Sequence, residues 1–154
     1  MKNKQIIYLV LVVTLIGFFS CKKDETKVVI SSNPVPPVFL TPASGADIIF
    51  NSLQGQDTMM FTWKTADYGF KASVQYRVQL DTVTTFSFKP AKLLNVTFSD
   101  TLLVQNSVLN TFLVKGFKLK ANIKYTFYAR VRAMTDAGTD TIYSDPVMWY
   151  FTTY

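Results

Sequence analysis

The feature that most constrains the fold is a period-two alternation of apolar and polar residues. It recurs in three runs, at residues 61–63, 76–80 and 125–133. Successive side chains of a β-strand point to opposite faces, so one face of each run meets a core and the other meets water. Turn-forming residues separate the runs at 65–69, 89–91 and 136–140. Short strands at this spacing predict an all-β fold of two packed sheets.

One segment departs from the alternation. Its apolar residues recur at the spacing of a single helical face: Val108, Leu109, Phe112 and Leu113. Asn106 or Ser107 can cap the start of such a helix, and Gly116 can end it. We therefore expect one short helix packed across the end of the sandwich.

The first 20 residues have the three-part pattern of a secretory signal peptide. Two lysines precede an apolar run at 6–19, and the small Ser20 follows it. The run is too short to cross a bilayer, which takes roughly twenty apolar residues. The segment resembles a bacterial lipoprotein signal, in which cleavage exposes a cysteine for lipidation. Cys21, the only cysteine of the chain, is placed for that modification. The alternative is ordinary secretion with a free thiol.

Residues 21–37 form the expected lipidated N-terminus and flexible tether, because the part at 26–37 is rich in Ser, Pro and Val and its prolines favour extended chain. The residues after Cys21, Lys-Lys-Asp-Glu, resemble the lysine-plus-acid tag of surface-exported lipoproteins in Gram-negative bacteria with Sus-type glycan systems. The remaining residues, 38–154, have the size of one domain with one core. We expect a lipid-anchored protein of the outer membrane, exposed at the cell surface.

The composition leaves little for catalysis or metal binding. The chain has no histidine, and Glu25, in the tether, is its single glutamate. Zinc and copper sites draw mainly on Cys and His, and acid-base catalysis most often uses His or paired carboxylates. We therefore expect no enzyme activity, no cofactor and no metal. A calcium site at Asp136 and Asp140 is the weak alternative, because calcium takes carboxylate ligands.

The number and distribution of charged residues also limit the kinds of partner that we expect. Removal of Lys2 and Lys4 with the signal leaves 14 basic and 10 acidic residues, and the basic residues are spread along the chain. A nucleic-acid footprint would concentrate them on one element, so nucleic acid is not an expected partner.

Several residues resemble the core signature of fibronectin type III domains. They are Trp63 in an early strand, the run at 76–80, and Leu119 followed six residues later by Tyr125. In that signature the late tyrosine returns its hydroxyl to upstream backbone, a tyrosine corner. Ala121 stands where the family usually has proline. The resemblance implies an immunoglobulin-like, fibronectin type III β-sandwich.

In such a sandwich the three strands at 76–80, 125–133 and 147–151 share one sheet, and the alternation then assigns its two faces. The residues expected to point inward are Tyr76, Val78, Leu80, Tyr125, Phe127, Ala129, Val131, Val147, Trp149 and Phe151. Those expected to form an exposed face are Tyr128, Tyr150 and Met148, rimmed by Arg77, Gln79 and Arg130. We keep three hypotheses for the role of this face: docking of a protein or domain, stacking against a sugar, or cross-strand stabilisation of the sheet alone.

Four Asp-Thr-aliphatic triplets resemble the acceptor of periplasmic O-glycosylation in these bacteria. The candidate acceptors are Thr58, Thr82, Thr101 and Thr141. Turn composition also generates such triplets, so they stay candidates.

A narrower resemblance covers essentially the whole chain. The cysteine tag at 20–25, the run at 40–45, Phe-Thr-Trp-Lys-Thr-Ala-Asp-Tyr-Gly-Phe at 61–70, the strand at 74–81 and the final Thr153-Tyr154 are together similar to the N-terminal domain of SusE-type outer-membrane lipoproteins. This resemblance implies a surface lipoprotein of a polysaccharide-uptake system, beside a TonB-dependent transporter and its lid-like glycan-binding lipoprotein.

In that family the glycan sites lie in modules downstream of this domain, so no binding residue transfers to this chain. The resemblance implies a non-catalytic spacer and docking module in a complex that takes up starch-like glycans. The alternative is a direct glycan-binding module that uses exposed aromatics of the sandwich. Two alternatives stay open for the chain as a whole, a free-standing single domain or a fragment of a longer protein.

Overall fold

The computed structural model describes residues 31–87, 92–136, 138 and 140–154. The strands, in chain order, are β1 Val38–Thr41, β2 Ala46–Ile49, β3 Thr58–Lys64, β4 Val74–Asp81, β5 Lys92–Leu93, β6 Thr101–Gln105, β7 Lys124–Thr135, β8 Thr141–Tyr143 and β9 Val147–Thr152. A 3₁₀ turn, Ser52–Gln54, precedes β3, and the helix α1, Asn106–Phe117, follows β6 directly.

The strands form two sheets, as predicted. The smaller sheet has the order β1-β3-β6 and is antiparallel. The larger sheet has the order β2-β9-β7-β4-β5, and β8 pairs with the second half of β7. The strand β2 runs parallel to β9, whereas the other pairings are antiparallel. The three strands that the alternation assigned to one sheet, β4, β7 and β9, are neighbours in the larger sheet.

The core lies between the sheets and is built from the inward positions of the alternation. Both tryptophans are buried, Trp63 from the smaller sheet and Trp149 from the larger. Phe39 of β1 bridges the sheets, because its ring meets that of Trp149 edge-on at 5.1 Å between centroids. Such edge-to-face pairs contribute roughly 0.5–1.5 kcal/mol beyond the area that they bury. Of the residues expected inside, Tyr125 and Val147 are half-buried and the others are buried.

The predicted helix is present, but its details differ. Leu109 and Leu113 are fully buried, whereas Val108, predicted on the buried face, is 51% exposed. Asn110 is buried instead, because its side chain makes two hydrogen bonds to the backbone of Tyr154. Its amide nitrogen donates to the Tyr154 carbonyl at 3.2 Å, and its amide oxygen accepts the Tyr154 N–H at 3.1 Å. The helix therefore holds the end of the chain against the sandwich.

The predicted helix caps are wrong. Gln105 is the N-cap, and no side chain caps the first turn. Asn106 instead donates its amide to the carbonyl of Gln54 at 3.3 Å, which links the helix to the 3₁₀ turn. At the other end Gly116 lies inside the last turn, and the left-handed residue that ends the helix is Lys118, at φ 57°.

The tyrosine corner is present without its usual proline. The backbone N–H of Lys120 donates to the hydroxyl of Tyr125 at 3.1 Å. Asn122, at φ 59°, carries the turn and donates its N–H to the carbonyl of Thr153 at 2.7 Å. These bonds fix the entry into β7 beside the end of the chain.

The last residues of the predicted tether, 31–37, contact the domain. The N–H of Ser31 donates to the carbonyl of Tyr68 at 2.9 Å, and Val35 and Asp67 exchange two backbone bonds of 2.7 and 3.0 Å. Pro37 is buried. The predicted signal peptide, Cys21 and the rest of the tether lie outside the described residues.

Candidate interaction surfaces

Residues 63–69 belong to one of the segments that carry the narrow resemblance, and their loop is hydrogen-bonded to the larger sheet. Tyr68 is buried, and its hydroxyl lies 3.1 Å from the carbonyl oxygens of both Ala133 and Asp140. Burial, with the nearby charges of Tyr76 and Asp140, raises the pKa of Tyr68 to about 12. The phenol therefore stays neutral and donates its proton to backbone, so this loop is tied to the far end of β7.

The turn itself depends on Asp67 and Gly69. The carboxylate of Asp67 accepts the N–H of Gly69 at 2.8 Å, as in an Asx turn. Gly69 has φ 80°, and a Cβ on it would lie 2.8 Å from the Cβ of Ser31. Glycine is required both for the conformation and for the close approach of the N-terminal segment.

The face of the larger sheet that was predicted to be exposed is half-buried. Tyr128 lies directly opposite Met148 in the register, and Tyr150 lies opposite Thr126. Tyr128, Met148 and Tyr150 are each of intermediate burial, so the predicted exposed apolar patch is not present as such. The Nζ of Lys124, 4.7 Å from the centroid of the Tyr150 ring, covers part of this surface.

Arg130 was predicted at the rim of that face, and it is held firmly by its neighbours. Its guanidinium carbon lies 4.1 Å from the ring centroid of Phe86 and 3.9 Å from that of Tyr143. Its Nε donates to Gln79 Oε1 at 2.8 Å, and Gln79 is buried rather than exposed as predicted. Burial lowers the pKa of Arg130, against the opposing effects of Tyr143 and Asp81. Arg130 and Gln79 are therefore parts of the packed structure.

Arg77 and Arg132 lie directly opposite each other on β4 and β7. With Gln75 and Met134 they line a groove of about 130 Å³. Arg132 donates from Nη2 to the thioether of Met134 at 3.2 Å, and its Nε is buried without a hydrogen-bond partner. The alternation placed Arg77 on the outer face, but only the register shows that Arg132 lies opposite it.

The smaller sheet carries a group of exposed apolar side chains on its outer face. Met60 of β3 and Leu103 of β6 are direct partners in the register, and they are 49% and 62% exposed. Val38 and Leu40 of β1 are also exposed on this sheet. We call these four residues the apolar stripe. The alternation missed it because the strand at 101–105 has neighbouring apolar residues on both faces.

The four candidate glycosylation residues differ in access. Thr58 and Thr82 are exposed, whereas Thr101 and Thr141 are half-buried in β6 and β8. Thr101 also donates its hydroxyl to Asp100 at 3.0 Å.

The described residues contain neither a cluster of metal ligands nor a helix that could span a membrane. No three His, Cys, Asp or Glu side chains among residues 31–87, 92–136, 138 and 140–154 are grouped as metal ligands, and Asp136 instead accepts the amide of Gln75 at 3.3 Å. In the same part of the chain, no helix combines the length and the hydropathy of a membrane span.

Among the described residues, two packed sheets, one α-helix and a tyrosine corner define the class, a fibronectin type III-like β-sandwich. The chain belongs to the family "SusE outer membrane protein", whose model matches residues 23–132. This membership associates the protein with the outer membrane and with Sus-like systems in general. The family and the fold are generally non-catalytic.

Solved structures and curated proteins add little to this assignment. The chain is similar to the sixth fibronectin type III domain of human fibronectin type III domain containing protein 3, with 15% identity, 80% of this chain and 91% of that chain covered, and a TM-score of 0.40. It is also similar to part of a beta-1,2-glucanase from Parabacteroides distasonis, with 14% identity, 83% of this chain and 14% of that chain covered, and a TM-score of 0.39. No curated protein matches the sequence significantly.

Proposed function

We propose that this protein is a non-catalytic, lipid-anchored spacer and docking module of a polysaccharide-uptake complex at the outer membrane. The observation that carries the docking role is the apolar stripe on the smaller sheet, where Met60 and Leu103 stand side by side with about half or more of their surface in water. Grouped exposed apolar side chains are typical of protein interfaces. The occupant that we propose is another protein of the same complex, a TonB-dependent transporter or its lid-like lipoprotein.

The spacer role follows from the length of chain between the anchor and the domain. Ten residue steps separate Cys21 from Ser31, the first described residue, whose backbone N–H bonds the carbonyl of Tyr68. At 3.3–3.6 Å per residue, this segment reaches at most about 36 Å. The proposed lipid on Cys21 would therefore keep the loop at 66–69 near the membrane surface, with the domain extending from it.

The docking role is tested by binding of the mature chain to the purified transporter and lid-like lipoprotein of the same outer membrane. Lysine at Met60 or Leu103 puts a charge into the apolar stripe, and we expect the dissociation constant to rise at least tenfold. The matched control is Leu53→Lys, on the 3₁₀ turn at 92% exposure, which should bind as the wild type does. Unchanged binding by both stripe variants would remove the docking role.

A second candidate function is direct binding of a glycan on the larger sheet. The half-buried positions of Tyr128 and Tyr150 leave less ring surface for sugar stacking than an exposed patch would offer. The groove between Arg77 and Arg132 favours this candidate more, because it is concave and two guanidinium groups line it. Alanine at both tyrosines tests the aromatic version, since unchanged glycan affinity would eliminate it.

We also propose O-glycosylation at the accessible triplets. Thr58 and Thr82 have the exposure that a transferase needs, and Thr101 and Thr141 are the less accessible candidates. Intact-mass measurement of protein from the native bacterium should show hexose increments that Thr58→Val and Thr82→Val reduce. A native mass equal to the polypeptide mass plus lipid would contradict this proposal.

A further inference from the structure

Two arginines directly opposite on adjacent strands are an unfavourable arrangement by themselves. Like charges in this register position repel one another. Within the described residues neither Arg77 nor Arg132 pairs with a carboxylate. The carboxylate of Asp136 accepts a hydrogen bond from the amide of Gln75 instead. In the part of the chain that the structure describes, the two positive charges are therefore left uncompensated.

The neighbouring Arg130 shows what compensation looks like on the same face. It is stacked between the rings of Phe86 and Tyr143, bonded to Gln79 and favoured electrostatically by Asp81. Arg132, two residues along the same strand, donates to a thioether, which is a weak acceptor. Its Nε is buried and has no acceptor. A guanidinium carries five N–H donors, so most of the donors at this pair lack an acceptor among the described residues.

The geometry points to a binding site for an anionic group. We propose that the groove lined by Gln75, Arg77, Arg132 and Met134 binds the carboxylate or sulfate of an acidic saccharide. Such a group supplies two or three acceptor oxygens, which match the fork of donors on a guanidinium, and its charge offsets the repulsion between the two arginines.

The size of the groove favours a small group over a protein surface. Its volume of about 130 Å³ suits one charged substituent. A protein partner would instead cover a much wider surface, roughly 800 Å² on each side of an interface. The choice of a saccharide as the carrier rests on the proposed glycan role. The anion site itself rests on the arginine pair.

The experiment titrates the mature, non-lipidated chain with sodium glucuronate at constant ionic strength and follows the arginine Nε–Hε resonances by NMR. We expect saturable shifts at Arg77 and Arg132, and none with glucose, the matched neutral sugar. Arg77→Gln and Arg132→Gln should each raise the apparent dissociation constant at least tenfold. Arg132→Lys keeps the charge but loses the fork, so it should give an intermediate value and confirm that the fold tolerates change there.

Charge alone is controlled with Lys124→Gln, which removes one positive charge from the other end of β7. This variant should bind glucuronate as the wild type does. Equal weakening by Lys124→Gln, equal shifts with glucose, or no shift with glucuronate or sulfate would each overturn the site. Tighter binding of N-acetylglutamate than of glucuronate would overturn the saccharide assignment in favour of an acidic peptide. None of these results changes the binding of the Met60 and Leu103 variants to the transporter, so the docking proposal is judged separately.

Discussion

The hydroxyl of Tyr68 lies 3.1 Å from the carbonyl oxygen of Ala133, and this contact joins the loop after β3 to the strand β7 of the other sheet. The same hydroxyl is 3.1 Å from the carbonyl of Asp140, at the start of the segment that leads into β8. One buried phenol thus closes an end of the sandwich where no strand pairing among the described residues connects the two sheets. It also supports the loop on which residues 31–35 lie.

Tyr68→Phe should therefore destabilise the domain. The substitution removes the hydroxyl that donates to the carbonyls of Ala133 and Asp140. We expect the free energy of unfolding to fall by about 1–2 kcal/mol. Urea denaturation followed by tryptophan fluorescence measures the change. Tyr128→Phe is the matched control, because the Tyr128 hydroxyl makes no hydrogen bond among the described residues. Equal effects of the two variants would contradict the role of the Tyr68 hydroxyl.

The pKa of Tyr68 predicts how stability depends on alkaline pH. Burial raises the pKa of Tyr68 from 10.0 to about 12 and also raises that of Tyr76. Between these values the unfolded state has lost the phenolic proton while the folded state retains it, so the free energy of unfolding falls as pH rises. The stabilising effect is complete below pH 10 and declines through pH 12.

This decline should be less steep in Tyr68→Phe, which has one raised phenol fewer. The measurement is the free energy of unfolding of both proteins at intervals from pH 8 to 11.5. Parallel curves for the wild type and the variant would show that Tyr68 titrates normally in the folded protein.

Gly69→Ala should destabilise the domain by two separate effects. Alanine is strained at φ 80°, and its Cβ would meet the Cβ of Ser31 at 2.8 Å. Gly45→Ala is the matched control, because its φ is 86° but no atom lies within 4 Å of the added Cβ. We expect a cost of about 1 kcal/mol for Gly45→Ala and more for Gly69→Ala.

The second effect is isolated by adding Ser31→Gly, which removes the atom that the new Cβ at position 69 would strike. The double variant should recover the difference between the two single glycine variants. Limited proteolysis of the segment at 31–35 should follow the same order. A double variant as unstable as Gly69→Ala would show that the contact with Ser31 does not matter.

The alternation predicted the sheets well because burial of one face imposes it directly. Trp149, Phe127 and Tyr76 are buried where the pattern placed them, and Tyr125 forms its corner without the usual proline. What the pattern left out is pairing between distant segments. The parallel strand β2 and its place beside β9 depend on a contact about 100 residues away in sequence, for which a local pattern carries no signal.

The candidate surfaces were less predictable, for a different physical reason. Outward-facing does not mean exposed: Gln79 points away from the core, yet Arg130 covers it. Leu103 is exposed although it is apolar, whereas its neighbours Leu102 and Val104 are buried. Because all three residues are apolar, the sequence of this strand does not show which of them faces the core. The side chains that cover a sheet face come from other strands and loops. Their positions are set by tertiary packing, not by the strand sequence.

Membrane attachment through Cys21 is tested by substitution. Cys21→Ala leaves no thiol for acylation, so the protein should move from the detergent-rich to the aqueous phase in phase partitioning, and intact mass should lose the acyl increment. Each buried methylene of a lipid chain contributes about 0.8 kcal/mol, so several chains give firm attachment. Ser20→Ala keeps a small residue before the cysteine and should still partition with detergent. Wild-type protein recovered unmodified in the aqueous phase would contradict the anchor.

Replacing Arg130 by methionine should lower the free energy of unfolding, whereas the same substitution at Arg77 should not. Arg130→Met leaves the buried Gln79 without its partner and removes the cation between Phe86 and Tyr143, so the free energy of unfolding should fall by about 1–3 kcal/mol. Arg77→Met removes one charge from the pair with Arg132, so stability should stay within about 0.5 kcal/mol or rise. Any gain should be largest at low ionic strength, where repulsion is least screened. Urea denaturation at two salt concentrations measures both effects, and a large loss in Arg77→Met would show that its charge is compensated in the free protein.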